Sequence, residues 1–264
     1  MSGDYLLTNA APGASDRLAA IATLFDPATF GHVDRLGLAA GWRCWEVGAG
    51  GTSVVDHLAG RVGPDGRVLA TDVDVSWAPS TPASNVEILE HDVTSGPPPG
   101  GPFDLVHARL VLVHVVERDR ALATMVGALR PGGVLLVEDA DPALQPLACL
   151  EETGPAEALA NRVRRGFRVL LAERGADLAY GRTLPRRLRA AGLADVGAEA
   201  AFTVGHPACD VLELATVSML ADQLVARGLV GEEEVERHLA TVRRGVLDLV
   251  QPPMVSAWGR RPPA

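Results

Sequence analysis

Apolar residues follow two rhythms along this chain. Runs of strand length occur at 43–47, 67–71, 86–93, 103–106 and 134–139, and between the last two Leu122, Met125, Val126 and Leu129 return at helical spacing. Strands alternating with helices predict an α/β fold. The helix through Leu122 is expected to stop at Arg130, Pro131, Gly132 and Gly133, because proline ends a helix and glycine takes the left-handed turn. Further on, Leu159, Val163, Phe167 and Leu170 predict an amphipathic helix, and 184–191 a second one ending at Gly192. Residues 196–204 read as a sixth strand and 254–259 as a seventh. Two more helices are predicted between them, one through Val217, Leu220 and Leu224, the other through Val235, Leu239, Val242, Val246 and Leu249. Ahead of the first strand a helix starts near Ser15, and Asp26 caps a second with Pro27 in its first turn, giving a helical pair over 14–38. The expected organisation is an N-terminal helical lid, 1–38, and a core, 39–264, with helical insertions at about 142–192 and 205–251. Those inserted helices roof a pocket, cover the sheet, or form a homodimer contact.

The first two strands enclose the most informative segment. Glu46 and Val47 are followed by Gly48, Ala49, Gly50, Gly51, Thr52 and Ser53, and Asp72 closes the next strand about 20 residues on. Glycines suit a turn where the backbone bends sharply and a ligand approaches where a Cβ would intrude. The helix beyond presents free N–H groups, and a carboxylate at the next strand's tip accepts hydrogen bonds from both hydroxyls of a ribose. A nucleoside-bearing cofactor across the strand ends is the expectation. A dinucleotide fingerprint requires a third glycine where Ser53 stands. The chain has no lysine, all 24 basic residues being arginine, which removes a phosphate-loop lysine and pyridoxal-phosphate attachment.

What remains, Glu46-x-Gly48-x-Gly50, resembles motif I of the class I S-adenosylmethionine-dependent methyltransferases. The likeness runs through residues 43–139: the third strand leads to Asp92 and Val93, and the fourth strand, its helix and the fifth strand follow in the family's order. One departure is Thr52 where the family usually has the motif's last glycine. The resemblance implies a Rossmann-like seven-stranded sheet, mostly parallel with strand seven antiparallel and carrying helical lid insertions. The implied cofactor is S-adenosyl-L-methionine, whose sulfonium and ammonium suit an acidic strand end. Its implied contacts are Glu46, Gly48, Ala49 and Gly50 in the loop, Asp72 with Val73 at the ribose, and Asp92 with the Val93 N–H at the adenine. His107 is read as a core or cofactor-lining residue, and Tyr5 lies on a segment free to fold over the cofactor. Arg109 either grips the cofactor carboxylate or only makes a surface salt bridge.

Methyl transfer needs alignment above all, and an oxygen or nitrogen nucleophile gains further from a positioned base. The segment 112–118 resembles the base-bearing segment of sugar O-methyltransferases, which puts that role on His114, with Asp139 after strand five as its acidic partner. The bland alternatives are a structural histidine starting a helix and a strand-end carboxylate capping the Pro142 segment. Glu138, Asp139 and Asp141 invite a metal site. Against it, metal-dependent catechol-type methyltransferases also need an aspartate at the end of strand four, where this chain has His107, Ala108 and Arg109, so no metal is expected.

A formal net charge of −9 disfavours nucleic acid and anionic membranes, which leaves a small-molecule substrate. The three cysteines, Cys44, Cys149 and Cys209, have no metal spacing and read as buried thiols of a reducing compartment. No targeting or membrane-spanning run is evident, and the cytoplasm is the default. The expected activity is methyl transfer to a small molecule, at oxygen, in bacterial secondary metabolism. The alternatives are a natural-product cyclase on the same fold that keeps the cofactor unconsumed, and a cofactor-binding protein without chemistry.

Overall fold

The computed structural model describes residues 6–7 and 13–263, so Tyr5 lies outside the described residues. The chain divides into two compact units. One comprises Asp26–Ala140, Tyr180–Ala200 and Val255–Ala264 and holds the sheet. Its strands are β1 (Arg43–Val47), β2 (Arg67–Asp72), β3 (Val86–Glu90), β4 (Phe103–Arg109), β5 (Leu129–Ala140), β6 (Ala194–Ala201) and β7 (Met254–Arg260). They lie in the order β3-β2-β1-β4-β5-β7-β6, with β7 antiparallel, as expected. β1 pairs in parallel with both β2 and β4, so the strand order reverses at β1, and the crevice outside the carboxyl ends there is where such sheets bind ligands.

Side chains alternate between two apolar layers, as the strand period of two requires. Trp45, Val47, Val106, Leu135 and Val137 face Leu122 and Met125 of helix α3 (Arg118–Ala128) and Leu184 and Leu188 of α5 (Leu184–Ala190). Cys44, Leu105, Val134 and Leu136 face Val54, Val55, Leu58 and Val62 of α2 (Ser53–Val62). Burial on both faces explains why the central strands read as nearly unbroken apolar runs.

Several boundaries differ from expectation. Helix α3 stops at Ala128, and the glycine pair after it belongs to β5. The Gly132 N–H donates to the Arg261 carbonyl at 2.8 Å, and the Arg261 N–H to the Gly133 carbonyl at 2.9 Å. A Cβ on Gly133 would come within 2.9 Å of the Phe103 carbonyl oxygen, so this glycine serves close strand approach rather than a helix cap. The expected N-terminal helical pair is one helix, α1 (Ala14–Arg35), with Pro27 inside it. Proline removes one internal hydrogen bond there, while Ile21, Phe25, Thr29, His32 and Val33 continue the buried stripe past it. β6 runs over Ala194–Ala201, and Val204 makes only an isolated bridge to Val250.

The second unit contains Asp141–Ala179 and Ala201–Met254 together with residues up to Phe25. Its helices α4 (Pro155–Glu173), α6 (Pro207–Ala226) and α7 (Glu232–Arg243) surround Leu159, Val163, Leu170, Leu220, Leu224 and Val235. A Cβ on Gly166 would lie 2.9 Å from Leu224 Cδ2, so glycine sets the approach of α4 to α6. Helix α7 ends at Arg243, short of the expected stretch to Leu249, because Gly245 takes a positive φ of 62° and leaves Val246 exposed. Inside this unit Arg164 Nη2 donates to Glu213 Oε2 at 2.9 Å and Nη1 to the Val250 carbonyl at 3.2 Å. Glu213 Oε1 lies 2.9 Å from His238 Nε2. No helix among the described residues is long and apolar enough to cross a membrane.

Candidate cofactor and active site

Gly48 and Gly50 both adopt positive φ, 61° and 60°, and turn the chain from β1 toward α2. A Cβ on Gly48 would sit 2.5 Å from Val111 Cγ2, so the loop after β4 closes directly over this glycine. The Gly50 N–H donates to Asp72 Oδ2 at 2.8 Å and the Asp74 N–H to Asp72 Oδ1 at 3.1 Å. Burial nevertheless raises the Asp72 pKa, against those backbone bonds. The Val73 amide also acts on this carboxylate, which keeps acceptor capacity for a further donor. Val73 beside it is exposed. Asp92 caps a 3₁₀ turn, Val93–Ser95, and its Oδ1 accepts from the Thr94 N–H at 2.8 Å and the Thr94 hydroxyl at 2.7 Å. Partial burial acts upward on Asp92, but the Thr94 bonds outweigh it and hold the carboxyl below the usual range.

Glu46 is placed differently from the other residues of the turn. It is 2% exposed, and its Oε2 lies 2.6 Å from His107 Nδ1. His107, wholly buried, points Nε2 at Glu138 Oε2, 3.2 Å away. Glu138 also accepts from the hydroxyls of Thr29 and Ser256, and its Oε1 lies 3.2 Å from His32 Nδ1. His32 Nε2 is 3.2 Å from Glu199 Oε2. Both His107 nitrogens therefore hydrogen-bond carboxylates, an arrangement a doubly protonated imidazolium satisfies and a neutral ring does not, whereas His32 Nδ1 lies within ion-pair reach of Glu138 without hydrogen-bond geometry. Burial opposes charge on His107, but Glu46 and Glu138 outweigh it and push the pKa up to about 9. His32 is raised chiefly by its contact with Glu138. Glu138, despite burial, is held far below the ordinary carboxylate range by His107, His32 and Ser256. His107 therefore has no surface with which to line a cofactor, and its place is one layer beneath the turn. Arg109 is not a surface salt bridge: its Nη2 meets Asp26 Oδ1 at 2.8 Å and its Nη1 donates to Thr29 Oγ1 at 3.0 Å.

The loop after β4 begins at Leu110, a non-glycine residue at φ 58°, held by an N–H bond to the Glu138 carbonyl at 2.8 Å. His114 follows in a turn, its N–H on the Val111 carbonyl at 3.0 Å, with its side chain partly buried. Asp139 is wholly buried, and neither of its oxygens has a hydrogen-bonding partner among the described residues. The expected bond from Asp139 to His114 is thus not formed. The physical reason is direction: the carboxyl faces the backbone amides of Val111, Leu112 and Val113, and burial pushes its pKa up to about 8. The neighbouring Tyr180 phenol is also buried without a partner, and burial, then the nearby Asp139, raises its pKa. Glu138 and Asp139, successive on β5, point to opposite faces of the sheet. Among the described residues no group of three potential metal ligands converges.

These ionisations fix a pH dependence of stability. A histidine or carboxyl whose pKa is raised by folding stabilises below its unfolded value and loses that contribution as pH rises through the folded value. For His107 the window runs from 6.5 to about 9, and for Asp139 from 3.8 to about 8. Urea denaturation should therefore give a lower stability at pH 8.5 than at pH 6.5. The His107 share, on the order of 3 kcal/mol in full, should be missing from the difference in His107→Leu. Equal stability at the two pH values would contradict a protonated His107.

Thr29, His32 and Ser256 are not expected at the site from the sequence, and Glu138 is singled out there only as a possible metal ligand. An ionisable residue breaking an otherwise apolar buried strand is the signal that marks His107 and Glu138; Thr29, His32 and Ser256 carry none.

The family model described as a methyltransferase domain matches residues 45–137. The chain is 30% identical over 130 residues to the ubiquinone/menaquinone biosynthesis C-methyltransferase UbiE of Vibrio cholerae, covering 46% of this chain and 50% of that protein. It is 32% identical over 149 residues to methyltransferase str2 of Strobilurus tenacellus, covering 55% of this chain and 50% of that protein. It thus spans about half the length of these curated relatives. Among solved structures, the YcgJ protein of Bacillus subtilis superposes with a TM-score of 0.53 at 15% identity, covering 90% of this chain and 99% of that one. Phosphoethanolamine N-methyltransferase 2 of Haemonchus contortus, solved with S-adenosyl-L-methionine, gives 0.51 at 13% identity, covering 95% of this chain and 53% of that one.

Proposed function

We propose that the protein is a class I S-adenosylmethionine-dependent methyltransferase that binds S-adenosyl-L-methionine at the β1–β2 turn and methylates a small molecule, a reading supported by the match of residues 45–137 to a methyltransferase domain. We assign the acceptor atom as oxygen and the setting as bacterial secondary metabolism in the cytoplasm, with no metal and no nucleic-acid partner. The observation that carries the reading is Asp72: a carboxylate fixed by backbone N–H groups at the strand tip, with acceptor capacity left for a ribose hydroxyl.

When bound, the cofactor supplies an electrophilic methyl group on sulfur. The chain binds, orients and handles the proton. Asp72 would hold the ribose, Val73 and the Asp92–Val93 pair would hold the base, and the left-handed Gly48 and Gly50 with Ala49 leave room for the rest. His114, in the loop that covers Gly48, takes the acceptor proton. Asp139 supports that loop through its backbone rather than orienting the imidazole directly. The oxygen assignment follows the likeness of residues 112–118 to sugar O-methyltransferases.

Asp72→Ala should weaken binding of S-adenosylhomocysteine by about 10- to 150-fold in calorimetry, the loss of hydrogen bonds to a charged group, about 1.5–3 kcal/mol. Unchanged affinity in a folded variant would remove the ribose assignment. Mass spectrometry of products from labelled cofactor tests the acceptor atom, and a rearranged substrate with cofactor unconsumed would favour a cyclase.

A further inference from the structure

Glu46 stands two residues before the left-handed Gly48, yet its side chain is turned into the sheet. It is a register partner of His107 on the neighbouring strand, and the 2.6 Å contact from His107 Nδ1 crosses between them. The ring is fixed from its other side by Glu138 of β5, which is itself held by Ser256 of β7 and by Thr29 and His32 of α1. Thr29 is tied in turn to Arg109, and Arg109 to Asp26. The ring is thus locked, with one N–H on Glu46 and the other on Glu138.

We propose that His107 is a positioning residue of the cofactor site: it keeps the Glu46 carboxylate inside the sheet and thereby holds the Gly48–Ala49–Gly50 turn in the shape that binds the cofactor. The assignment rests on the cofactor reading above. A buried carboxylate that loses its donor is driven toward water or the nearest cation. β1 ends one residue after Glu46, at Val47, so a carboxylate leaving the sheet there displaces the turn. The Gly50 amide, which the turn aims at Asp72, moves with it. Glu46 and His107 consequently act as one unit, and charge left on Glu46 without His107 is worse than losing both.

The test is a double-mutant cycle read by calorimetric titration with S-adenosylhomocysteine, which needs no acceptor substrate. His107→Leu should weaken binding about tenfold or more. Adding Glu46→Gln to that variant should recover most of the loss, and Glu46→Gln alone should cost less than His107→Leu. A general packing defect would instead leave the double variant as weak as His107→Leu or weaker, and that result overturns the assignment, as does wild-type affinity in His107→Leu. If His107→Leu does not fold, His107→Gln keeps a donor for Glu46 and should bind within about threefold of wild type; a loss as large as that predicted for leucine overturns the proposal. Wild-type protein that binds no S-adenosylhomocysteine would overturn the cofactor reading, and this assignment with it. Binding that His107→Leu leaves untouched would overturn the assignment alone.

Discussion

His114→Ala is expected to lower kcat by roughly 10² to 10⁴ while leaving the affinity for S-adenosylhomocysteine nearly unchanged. The ring sits on the loop whose Val111 covers Gly48, at the carboxyl end of β4, where the proposed reading has the acceptor meet the methyl group. A base that removes the acceptor proton as the new bond forms acts in the transition state, so its loss changes rate and not ground-state binding. The base must be neutral to accept a proton, and the rate should therefore fall as pH is lowered through the ionisation of the ring. Asp139→Asn should cost less, because the amide keeps the volume that supports residues 111–113. Its alkaline limb should also change, since the native carboxyl ionises only above about 8. Steady-state kinetics with the acceptor that wild-type protein methylates decides the matter. Nearly full activity in His114→Ala would mean that alignment alone suffices; His107 cannot replace it, being wholly buried between two carboxylates.

Glu213→Ala should destabilise the helical unit by about 3–5 kcal/mol, the usual cost of removing one partner of a buried ion pair. Arg164 and Glu213 are each 5% exposed, and without the carboxylate the guanidinium keeps, among the described residues, the Val250 carbonyl at 3.2 Å. Burial alone would raise the Glu213 pKa, but Arg164 and His238 pull it down to about 2. A depressed carboxyl stabilises above its unfolded pKa, 4.5, and loses that contribution as pH falls toward about 2, so the acid limb of stability should flatten in the variant. Urea denaturation at pH 7 measures the first effect. A variant within about 0.5 kcal/mol of wild type would show that the guanidinium finds water. Replacing the pair together, Arg164→Met with Glu213→Leu, should recover much of the loss, since a dry apolar pair carries no desolvation cost.

The sequence by itself determined the sheet and its glycine turn. Strand period, burial on both faces and left-handed glycines are local properties: each depends on a few consecutive residues and the layer they enter. The segment 43–53 therefore announces both its shape and the kind of ligand it suits, and Asp72 follows from its place at the next strand's tip. Boundaries were less legible where a distant strand competes for the backbone. Gly132 and Gly133 look like a helix stop until Arg261 takes up their hydrogen bonds, and Pro27 looks like a helix start until the buried stripe carries the helix through it. Only the tertiary structure decided what the ionisable side chains do. Glu46, His107, Glu138, His32 and Glu199 come from five separate elements, and no spacing in the chain predicts that they alternate in one line running from the buried Glu46 out to the exposed Glu199. The same holds for Asp139, which turns to the amides of residues 111–113 and not to His114. Backbone pattern is written within a few residues, whereas the charge, direction and partner of a buried side chain are set by whatever the rest of the fold brings within about 3 Å of it.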